Sequence, residues 1–459
     1  MNYLCCAYVN KFFIKVEGFA DSVLGSEPLI NRVILFVSRV VGEMKILHTS
    51  DWHIGKKLGA FDRTSEFRSA IDELEEICIA QSIDAVLVSG DIWDKGTPTP
   101  GLMDIGIEAM RQLSDAGNRA IIVIAGNHDS APFFDVMSKI LKPFNIHFVG
   151  YVKPPADGGI IRIETLNGKL AVGCIPFLRK GHVVDLMGDL SKSYGAYQET
   201  LKNIFETFAR ALSMDQAAGA VTMLMSHTTV NGASIGGGEW SLHTGQDYAI
   251  EATSFPSTVQ YVAMGHIHKP QKIAGSSVPA EYAGTLLPLD FGERNDEKRV
   301  VIVEAVPGAP ARLESIPLKV AQRRPLRRLT GNIETILQEY EDELVTLSGK
   351  YPDVNSESGP YFDIVVETDG PDISLSDRIH QKLGSVVKIQ AKYQSEVAAA
   401  VSKLDQSDEE SYKEYYLLEN GAEARENLLD GFRQIAEAAS LQRQEELLEA
   451  EIESADAAD

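Results

Sequence analysis

The sequence is poor in cysteine and lacks a long apolar run. Its four cysteines form no C-x-x-C pair, which excludes a secreted disulfide scaffold and fits a reducing compartment. No run approaches the roughly eighteen apolar residues that a membrane span needs. The first 43 residues lack the basic start, single apolar core and small-residue cleavage site of a signal peptide. These absences predict a cytoplasmic protein with no membrane segment.

Positive charge is also scarce. The chain has 43 Lys and Arg residues against 66 Asp and Glu residues, a formal net charge of −23, which taken alone argues against a nucleic-acid partner. The acidity is unevenly placed, because the segment from Leu404 onward holds 17 acidic and 4 basic residues, a net charge of −13. The overall charge therefore says little about the surface near a site elsewhere in the chain.

From Met44 the sequence alternates between strand and helix patterns. Strands are predicted at 45–49, 84–89 and 120–125, with helices at 65–81 and 100–116 between them. This β-α-β-α-β order predicts a parallel sheet. Further predicted strands follow at closer spacing, interrupted by a helix near 199–212: 160–163, 170–175, 221–225, 260–264, 280–283 and 299–304. We predict an α/β protein of the α+β sandwich type, with two sheets and helices outside.

The pattern resets near Pro317 into a small α-β-α-β unit. The predicted domains are an N-terminal extension outside the core, a main domain, a small second domain and an acidic helical tail, at 1–43, 44–318, 319–400 and 401–459. The extension could instead be a weak amphipathic targeting or docking helix. In the tail, Leu428, Phe432, Ile435 and Ala439 form an apolar stripe. It could bind a partner helix or coiled coil, pack on its own protein, or belong to a solvated tail.

Polar stretches follow five of the predicted strands. They are Asp51-Trp52-His53, Gly90-Asp91-Ile92-Trp93-Asp94, Gly126-Asn127-His128-Asp129, His227, and Gly265-His266-Ile267-His268. Because ligands bind at the carboxyl edge of open α/β sheets, we expect these side chains to meet at one point. Such a set of Asp, Asn and His ligands suits two adjacent divalent metals better than one structural zinc.

Two metals about 3.5–4 Å apart can hold the attacking and leaving oxygens of a phosphoryl transfer, and such a pair needs a bridging carboxylate. Asp51 and His53, two residues apart, can turn to one ion, whereas His266 and His268, with the same spacing, could reach different ions. Asp91 is the natural bridge because Gly90 lets the backbone approach closely. The neutral Asn127 leaves the site more positive for a phosphate. The mixed nitrogen and oxygen set favours Mn²⁺.

His128 lies between Asn127 and Asp129. If Asn127 binds metal, His128 would lie next to the phosphate and could donate a proton to the leaving alkoxide. Asp129 could orient its ring and raise its basicity.

The one compact basic cluster comprises Arg323, Arg324, Arg327 and Arg328. It lies where the second domain begins, and it could be a solvated linker or contact phosphates.

The five motifs in this order resemble the calcineurin-type metallophosphoesterases. More closely, the chain is similar to the SbcD family, the nuclease subunits of the bacterial SbcCD exonuclease. Supporting stretches are Ile175-Pro176-Phe177-Leu178-Arg179, His227-Thr228-Thr229-Val230-Asn231-Gly232-Ala233 and Tyr282-Ala283-Gly284. The resemblance covers Met44 to about residue 400 and places the family's DNA-capping domain over the second domain. Asp94 departs from the histidine of archaeal and eukaryotic relatives, and Thr285 replaces an expected serine.

The resemblance implies a ligand set and a reaction. Two divalent ions, most readily Mn²⁺, would be held by Asp51, His53, Asp91 and His268, and by Asp91, Asn127, His227 and His266. His128 would be the catalytic histidine that is not a ligand. The family hydrolyses DNA phosphodiester bonds, as a double-strand exonuclease and a single-strand or hairpin endonuclease, in DNA repair, recombination and replication.

The resemblance also implies partners. The chain would form a homodimer within a heterotetramer with an SbcC-like ABC-type ATPase, whose coiled coil the C-terminal helices grip. The lack of a Walker motif fits this, since the partner would bind ATP.

Two other functions remain open from the residues alone. A phosphomonoesterase or cyclic-nucleotide phosphodiesterase would use the same metals, but it needs neither a second domain nor a docking tail. A scaffold that binds DNA ends without cleaving them would not need the complete ligand set.

Overall fold

The computed structural model describes residues 43–178, 193–236, 249–370, 372, 374–393, 412–413 and 428–429. The N-terminal extension up to residue 42 and nearly all of the acidic tail, including most of its predicted docking stripe, lie outside the described residues. Within the described ranges, no helix combines the length and the apolar character that crossing a membrane requires.

The described chain contains seventeen strands and seven α-helices. The strands are β1 Met44–Thr49, β2 Ala85–Val88, β3 Ala120–Ile124, β4 Ile146–Val149, β5 Ile160–Thr165, β6 Gly168–Ile175, β7 Val221–His227, β8 Thr229–Val230, β9 Ala249–Ile250, β10 Tyr261–Gly265, β11 Gln271–Lys272, β12 Ala280–Tyr282, β13 Arg299–Ala305, β14 Arg312–Pro317, β15 Leu326–Gly331, β16 Tyr361–Glu367 and β17 Val386–Lys392. The helices are α1 Thr64–Gln81, α2 Pro100–Leu113, α3 Ala131–Leu141, α4 Ser193–Ala217, α5 Lys319–Arg323, α6 Ile333–Lys350 and α7 Leu375–His380.

Two six-stranded sheets form the framework of the site. The first has the order β14-β13-β1-β2-β3-β4. Strands β1 to β3 are parallel as predicted, and β4 continues the parallel order. Strand β13 is antiparallel to β1, and β14 is antiparallel to β13. The second has the order β11-β12-β10-β7-β6-β5, with its central strands parallel. The carboxyl ends of the parallel strands in each sheet therefore share one edge.

The strands bury both of their faces. In β3, Ile121 and Val123 pack with the helices outside the first sheet, whereas Ile122 packs in the layer between the two sheets with Val172 and Met223 of the second. Side chains alternate between the faces of a strand, so a continuous apolar run such as β3 serves two core layers at once. Helix α4 covers the outer face of the second sheet. The predicted two-sheet sandwich with helices outside is confirmed.

The chain divides into two compact units. The described residues of Met1–Arg328, Glu341–Asp363 and Gly384–Lys388 form the first unit, and those of Leu329–Tyr340, Ile364–Leu383 and Ile389–Asp459 form the second. A three-stranded sheet has the order β15-β16-β17, so a strand precedes the α-β-α-β pattern expected from the sequence. The predicted domain boundaries at residues 318 and 400 stay a prediction.

The basic cluster at the start of β15 is paired within the protein. Its four arginines contact acidic side chains or main-chain oxygens: Arg323 with Asp353 at 2.6 Å, Arg324 with the oxygen of Gly359 at 3.1 Å, Arg327 with Glu343 at 2.5 Å, and Arg328 with Asp363 at 2.6 Å. Arg324 also lies 4.0 Å from the centre of the Tyr361 ring. These contacts favour a structural role over contact with phosphates.

Candidate metal centre

The five predicted motifs meet at the shared carboxyl edge of the two sheets. The first sheet contributes the loops after β1, β2 and β3, and the second contributes the end of β7 and the loop after β10. Three groups of side chains have potential ligand atoms within 4.8 Å of one another: Asp51, His53 and His268; His53, Asp91 and His128; and Asp51, Asp91 and His227. Asn127 joins them, because its Oδ1 lies 3.0 Å from His227 Nε2 and 2.8 Å from His266 Nδ1. The structure thus brings all seven predicted ligands together.

The backbone is unusual at several of these positions. Asp51, His53, Asp91 and His266 all have positive φ angles, of 51°, 49°, 53° and 100°. This region is unfavourable for residues other than glycine, and residues that adopt it concentrate at functional sites. The sharp turns that follow the strands direct these side chains into the cluster.

Two glycines let the loops approach each other. A Cβ at Gly90, whose φ is +96°, would overlap Nδ1 of His227, and a Cβ at Gly126 would overlap the carboxylate of Asp91. The loops after β2 and β3 therefore have no room for a side chain at either position. The close approach predicted for Gly90 is present at both glycines.

Asp91 lies at the middle of the cluster. Its Oδ2 is 3.6 Å from His53 Nε2 and 3.3 Å from His227 Nε2, while its Oδ1 accepts a hydrogen bond from the main-chain N–H of His128 at 2.8 Å. The Asp51 carboxylate accepts one from the main-chain N–H of His266 at 3.0 Å. Asp91 thus lies between histidines from the two sheets, where a carboxylate could bridge two ions.

His53 provides the test of whether these residues fit a metal ion. Its side chain is buried, and among the described residues neither of its ring nitrogens has a hydrogen-bond partner. A buried polar atom without a partner costs free energy, so native proteins rarely leave one. A divalent ion would satisfy a ring nitrogen of His53, and the surrounding carboxylate, amide and imidazole donors suit such an ion.

Burial and charge shift the pKa values of the cluster in opposite directions. Burial raises the pKa of Asp51 to about 6. Burial alone would also raise that of Asp91, but the His227 charge beside it holds the pKa well below its usual range. For His227 the Asp91 carboxylate outweighs burial and raises the pKa to about 9. Burial holds the pKa of His53 well below its usual range. Adjacent carboxylates in a water-poor site favour a bound cation.

His128 is oriented by a different group from the one we expected. Its Nδ1 lies 2.8 Å from the main-chain oxygen of Asp94, so Nδ1 carries the proton. The Asp129 carboxylate instead accepts main-chain N–H groups of Ile92 at 3.1 Å and Gly126 at 2.9 Å. The expected contact of Asp129 with the His128 ring was wrong. Asp129 ties the loop after β2 to the loop after β3, and this holds Asp91 next to Asn127.

The side chain of Asp94 has contacts of its own. Its Oδ1 lies 3.1 Å from Lys56 Nζ and 3.9 Å from His53 Nδ1. The Asp94 carboxylate therefore pairs with the ammonium group of Lys56 at the edge of the cluster. The main-chain oxygen of Asp94 accepts the hydrogen bond from the His128 ring.

Glu293 is a residue of the site that the sequence analysis missed. It lies in a single 3-10 turn, Phe291–Glu293, and its Oε1 is 3.0 Å from His268 Nδ1. Burial would raise the pKa of Glu293, but Lys298 and His268 together hold it below its usual range. Thr285 donates a hydrogen bond to the same carboxylate at 3.2 Å, so threonine retains the hydroxyl that a serine would provide. No spacing in the sequence links this turn to the histidine motif.

Two models of known protein families match this chain. Residues 44–270 match the family of calcineurin-like phosphoesterases, and residues 322–419 match a type 5 capsule protein repressor C-terminal domain. The chain also aligns with the crystal structure of a dimetal phosphatase from Danio rerio, at 10% identity over 60% of this chain and 99% of that one. The TM-score of this alignment is 0.38.

Two curated relatives share most of their length with this chain. The SbcD subunit of the nuclease SbcCD from Bacillus subtilis is 33% identical over 280 residues, which are 60% of this chain and 70% of the relative. The SbcD subunit of the same nuclease from Rhodobacter capsulatus is 30% identical over 340 residues, which are 72% and 81%. With this identity and coverage, and with a calcineurin-like phosphoesterase domain, the chain belongs to the SbcD family of nuclease subunits.

Proposed function

We propose that this chain hydrolyses DNA phosphodiester bonds with two divalent metal ions, most readily Mn²⁺. The observation that carries the proposal is the buried cluster of Asp, Asn and His side chains in which neither ring nitrogen of His53 has a hydrogen-bond partner among the described residues. The family to which the chain belongs gives the reaction class. The metal identity rests on the mixed nitrogen and oxygen donors.

The ligands divide into two sets. Asp51, His53, Asp91 and His268 would hold one ion, and Asp91, Asn127, His227 and His266 the other. When bound, the ions would neutralise the charge of a phosphodiester and lower the pKa of water enough to supply a nucleophile at neutral pH. The ligands lie on loops that directly follow strands, and these strands are packed on both faces. The positions of the ligands are therefore fixed before substrate binds.

His128 would donate a proton to the leaving alkoxide. Because its Nδ1 donates to the main-chain oxygen of Asp94, Nε2 is the nitrogen that can hold and transfer this proton. The main-chain N–H of His128 donates a hydrogen bond to Asp91, so the backbone of His128 is tied to the proposed bridging carboxylate. A proton placed on the leaving oxygen contributes about 10²–10⁴-fold in rate in such reactions.

The names of the curated relatives motivate the partners. Both are subunits of a complex called SbcCD, and we propose an SbcC-like ABC-type ATPase with a coiled coil as the partner of this chain. The tail stripe at Leu428–Ala439 would bind that coiled coil, and residues 319–400 would cap the DNA. The assembly would contain a homodimer of this chain and act in the cytoplasm on double-strand ends and hairpins, in repair, recombination and replication.

The test is Mn²⁺-dependent cleavage of end-labelled duplex DNA by the full chain, with and without the SbcC-like partner and ATP. We expect cleavage to increase when the SbcC-like partner and ATP are added. His128→Ala should abolish cleavage and leave Mn²⁺ binding intact. His147→Ala is the matched control, since His147 contacts Asn145 at 3.1 Å at β4 and should leave cleavage unchanged.

Two outcomes would contradict the proposal. Hydrolysis of a small chromogenic phosphodiester without any cleavage of DNA would identify a small-molecule phosphodiesterase. Tight binding of DNA ends without cleavage of either substrate would identify a scaffold.

A further inference from the structure

A buried ion pair lies directly behind one of the proposed metal ligands. The Glu293 carboxylate is fully buried, and its Oε1 is 3.0 Å from Nδ1 of His268. An ionised carboxylate accepts hydrogen bonds and donates none, so Nδ1 of His268 carries the proton. Nε2 is then the nitrogen with a lone pair.

The same carboxylate is held by three further donors. Its Oε2 accepts hydrogen bonds from Lys298 Nζ at 2.7 Å, from Thr285 Oγ1 at 3.2 Å and from the main-chain N–H of Leu289 at 3.2 Å. Lys298 is itself buried, and its Nζ also donates to the main-chain oxygen of His268 at 3.2 Å. Glu293 and Lys298 therefore hold His268 by its ring and by its backbone.

We infer that Glu293 is an anionic positioning residue for His268, with Lys298 as its counter-ion, and that this pair strengthens one of the two metal sites. The inference rests on the proposed function, because it takes His268 as a metal ligand. Glu293 acts through the imidazole and does not touch the substrate.

The two metal sites differ in this respect. His227 also donates through Nδ1, but its acceptor is the main-chain oxygen of Ser89 at 2.7 Å, which is neutral. A carboxylate acceptor raises the basicity of the imidazole more than a carbonyl does, and loss of such an outer partner typically costs about 10–100-fold in metal affinity. The ion held by Asp51, His53, Asp91 and His268 should therefore depend on Glu293, and the other ion should not.

The experiment is a titration of the full metal-free chain with Mn²⁺, followed by electron paramagnetic resonance to count bound ions, with melting temperature measured on the same samples. The variants are E293Q, which removes the charge, and E293Q/K298M, which removes both charges and leaves no buried ammonium without a partner. E66Q is the matched control, because Glu66 is also a buried carboxylate in an ion pair, with Arg63 at 2.7 Å.

We expect the wild-type chain to bind two ions. Both Glu293 variants should lose about 10–100-fold in affinity at one site and keep the other, while E66Q keeps both. A purely structural role would lower the melting temperature without this selective loss. Folded E293Q or E293Q/K298M with wild-type affinity at both sites would overturn the inference and leave the proposed function standing. A wild-type chain that binds no Mn²⁺ would overturn both.

A measurement on the wild-type chain decides the matter if neither variant folds. The ¹⁵N shifts of the histidine rings in the metal-free protein, with His268 assigned from the spectrum of H268Q, report which nitrogen is protonated. A proton on Nδ1 supports the inference, and a neutral ring with its proton on Nε2 overturns it.

Discussion

Replacement of Gly126 by alanine tests how tightly the loops around the cluster are packed. A Cβ built at Gly126 overlaps Asp91 Oδ1 and lies 2.6 Å from both Cγ and the main-chain N of Asp91. Ordinary contact begins near 3.4 Å, so Asp91 or the loop after β3 must move by at least about 0.8 Å. Asp91 cannot swing away freely, because its Oδ1 is bonded to the N–H of His128 at 2.8 Å.

The expected cost has two parts. Overpacking of this kind destabilises a protein by about 1–3 kcal/mol. Displacement of catalytic groups by about 1 Å can reduce activity about 10²-fold. G126A should therefore fold with a moderate loss of stability, while its Mn²⁺-dependent cleavage falls about 100-fold and its Mn²⁺ affinity weakens.

The assay combines urea unfolding of the metal-free chain with single-turnover cleavage of end-labelled duplex DNA. The control is G101A in the first turn of α2, where an added Cβ meets nothing within 4 Å. Alanine is the better helix former, so G101A should retain full activity and be as stable as wild type or up to about 1 kcal/mol more stable. Wild-type cleavage by G126A would refute the reasoning, because the proposed bridging carboxylate would then tolerate a shift that the packing says it must make.

Three further predictions follow from other parts of the structure. Tyr361→Phe removes the hydroxyl that donates a hydrogen bond to Glu66 at 2.6 Å, and it should lower the free energy of unfolding in urea by about 1.5–3 kcal/mol while leaving cleavage unchanged. An unchanged midpoint of urea unfolding would show that this buried hydrogen bond does not stabilise the fold. Chelation of metal should lower the melting temperature, and Mn²⁺ at about a hundredfold excess over Kd should restore about 2.7 kcal/mol per site, so identical melting with and without Mn²⁺ would argue against a metal centre. Because Arg323 is paired with Asp353, Arg323→Ala should leave the affinity for DNA and its salt dependence unchanged, whereas a shallower salt slope would mean that this arginine contacts phosphate.

The sequence was informative where side-chain periodicity and strand ends decide the structure. Apolar runs such as β3 predicted strands, and Asp51 and Asn127 stood out because they lie shortly after such runs. The convergence of these loops followed from the rule that ligands bind at the carboxyl ends of parallel strands. The sandwich and a two-metal site could be predicted on this basis, whereas the phosphoesterase class and the family followed from the resemblance of the five motifs.

The remaining features depend on contacts between distant segments. Glu293 contacts His268 from a single 3-10 turn that lies 25 residues further along the chain. A single turn is too short to produce a periodic pattern in the sequence. The carboxylate of Asp129 neighbours His128 in sequence, yet it bonds to the backbone of Ile92, because that loop lies within reach only in the folded protein. Strand β15 was missed because adjacent arginines such as Arg327 and Arg328 are typical of a solvated linker. Their acidic partners lie 16 and 35 residues away in the sequence, so the pairing is not apparent before the chain folds.

The division of the proposed ligands between the two sheets has a consequence for folding. Asp51, His53, Asp91 and Asn127 follow strands of the first sheet, and His227, His266 and His268 belong to the second. A partly folded chain with only the first sheet formed would present three of the four proposed ligands of one site and two of the four of the other, so neither site would be complete. Both proposed metal sites are in this way completed only in molecules whose two sheets have packed together.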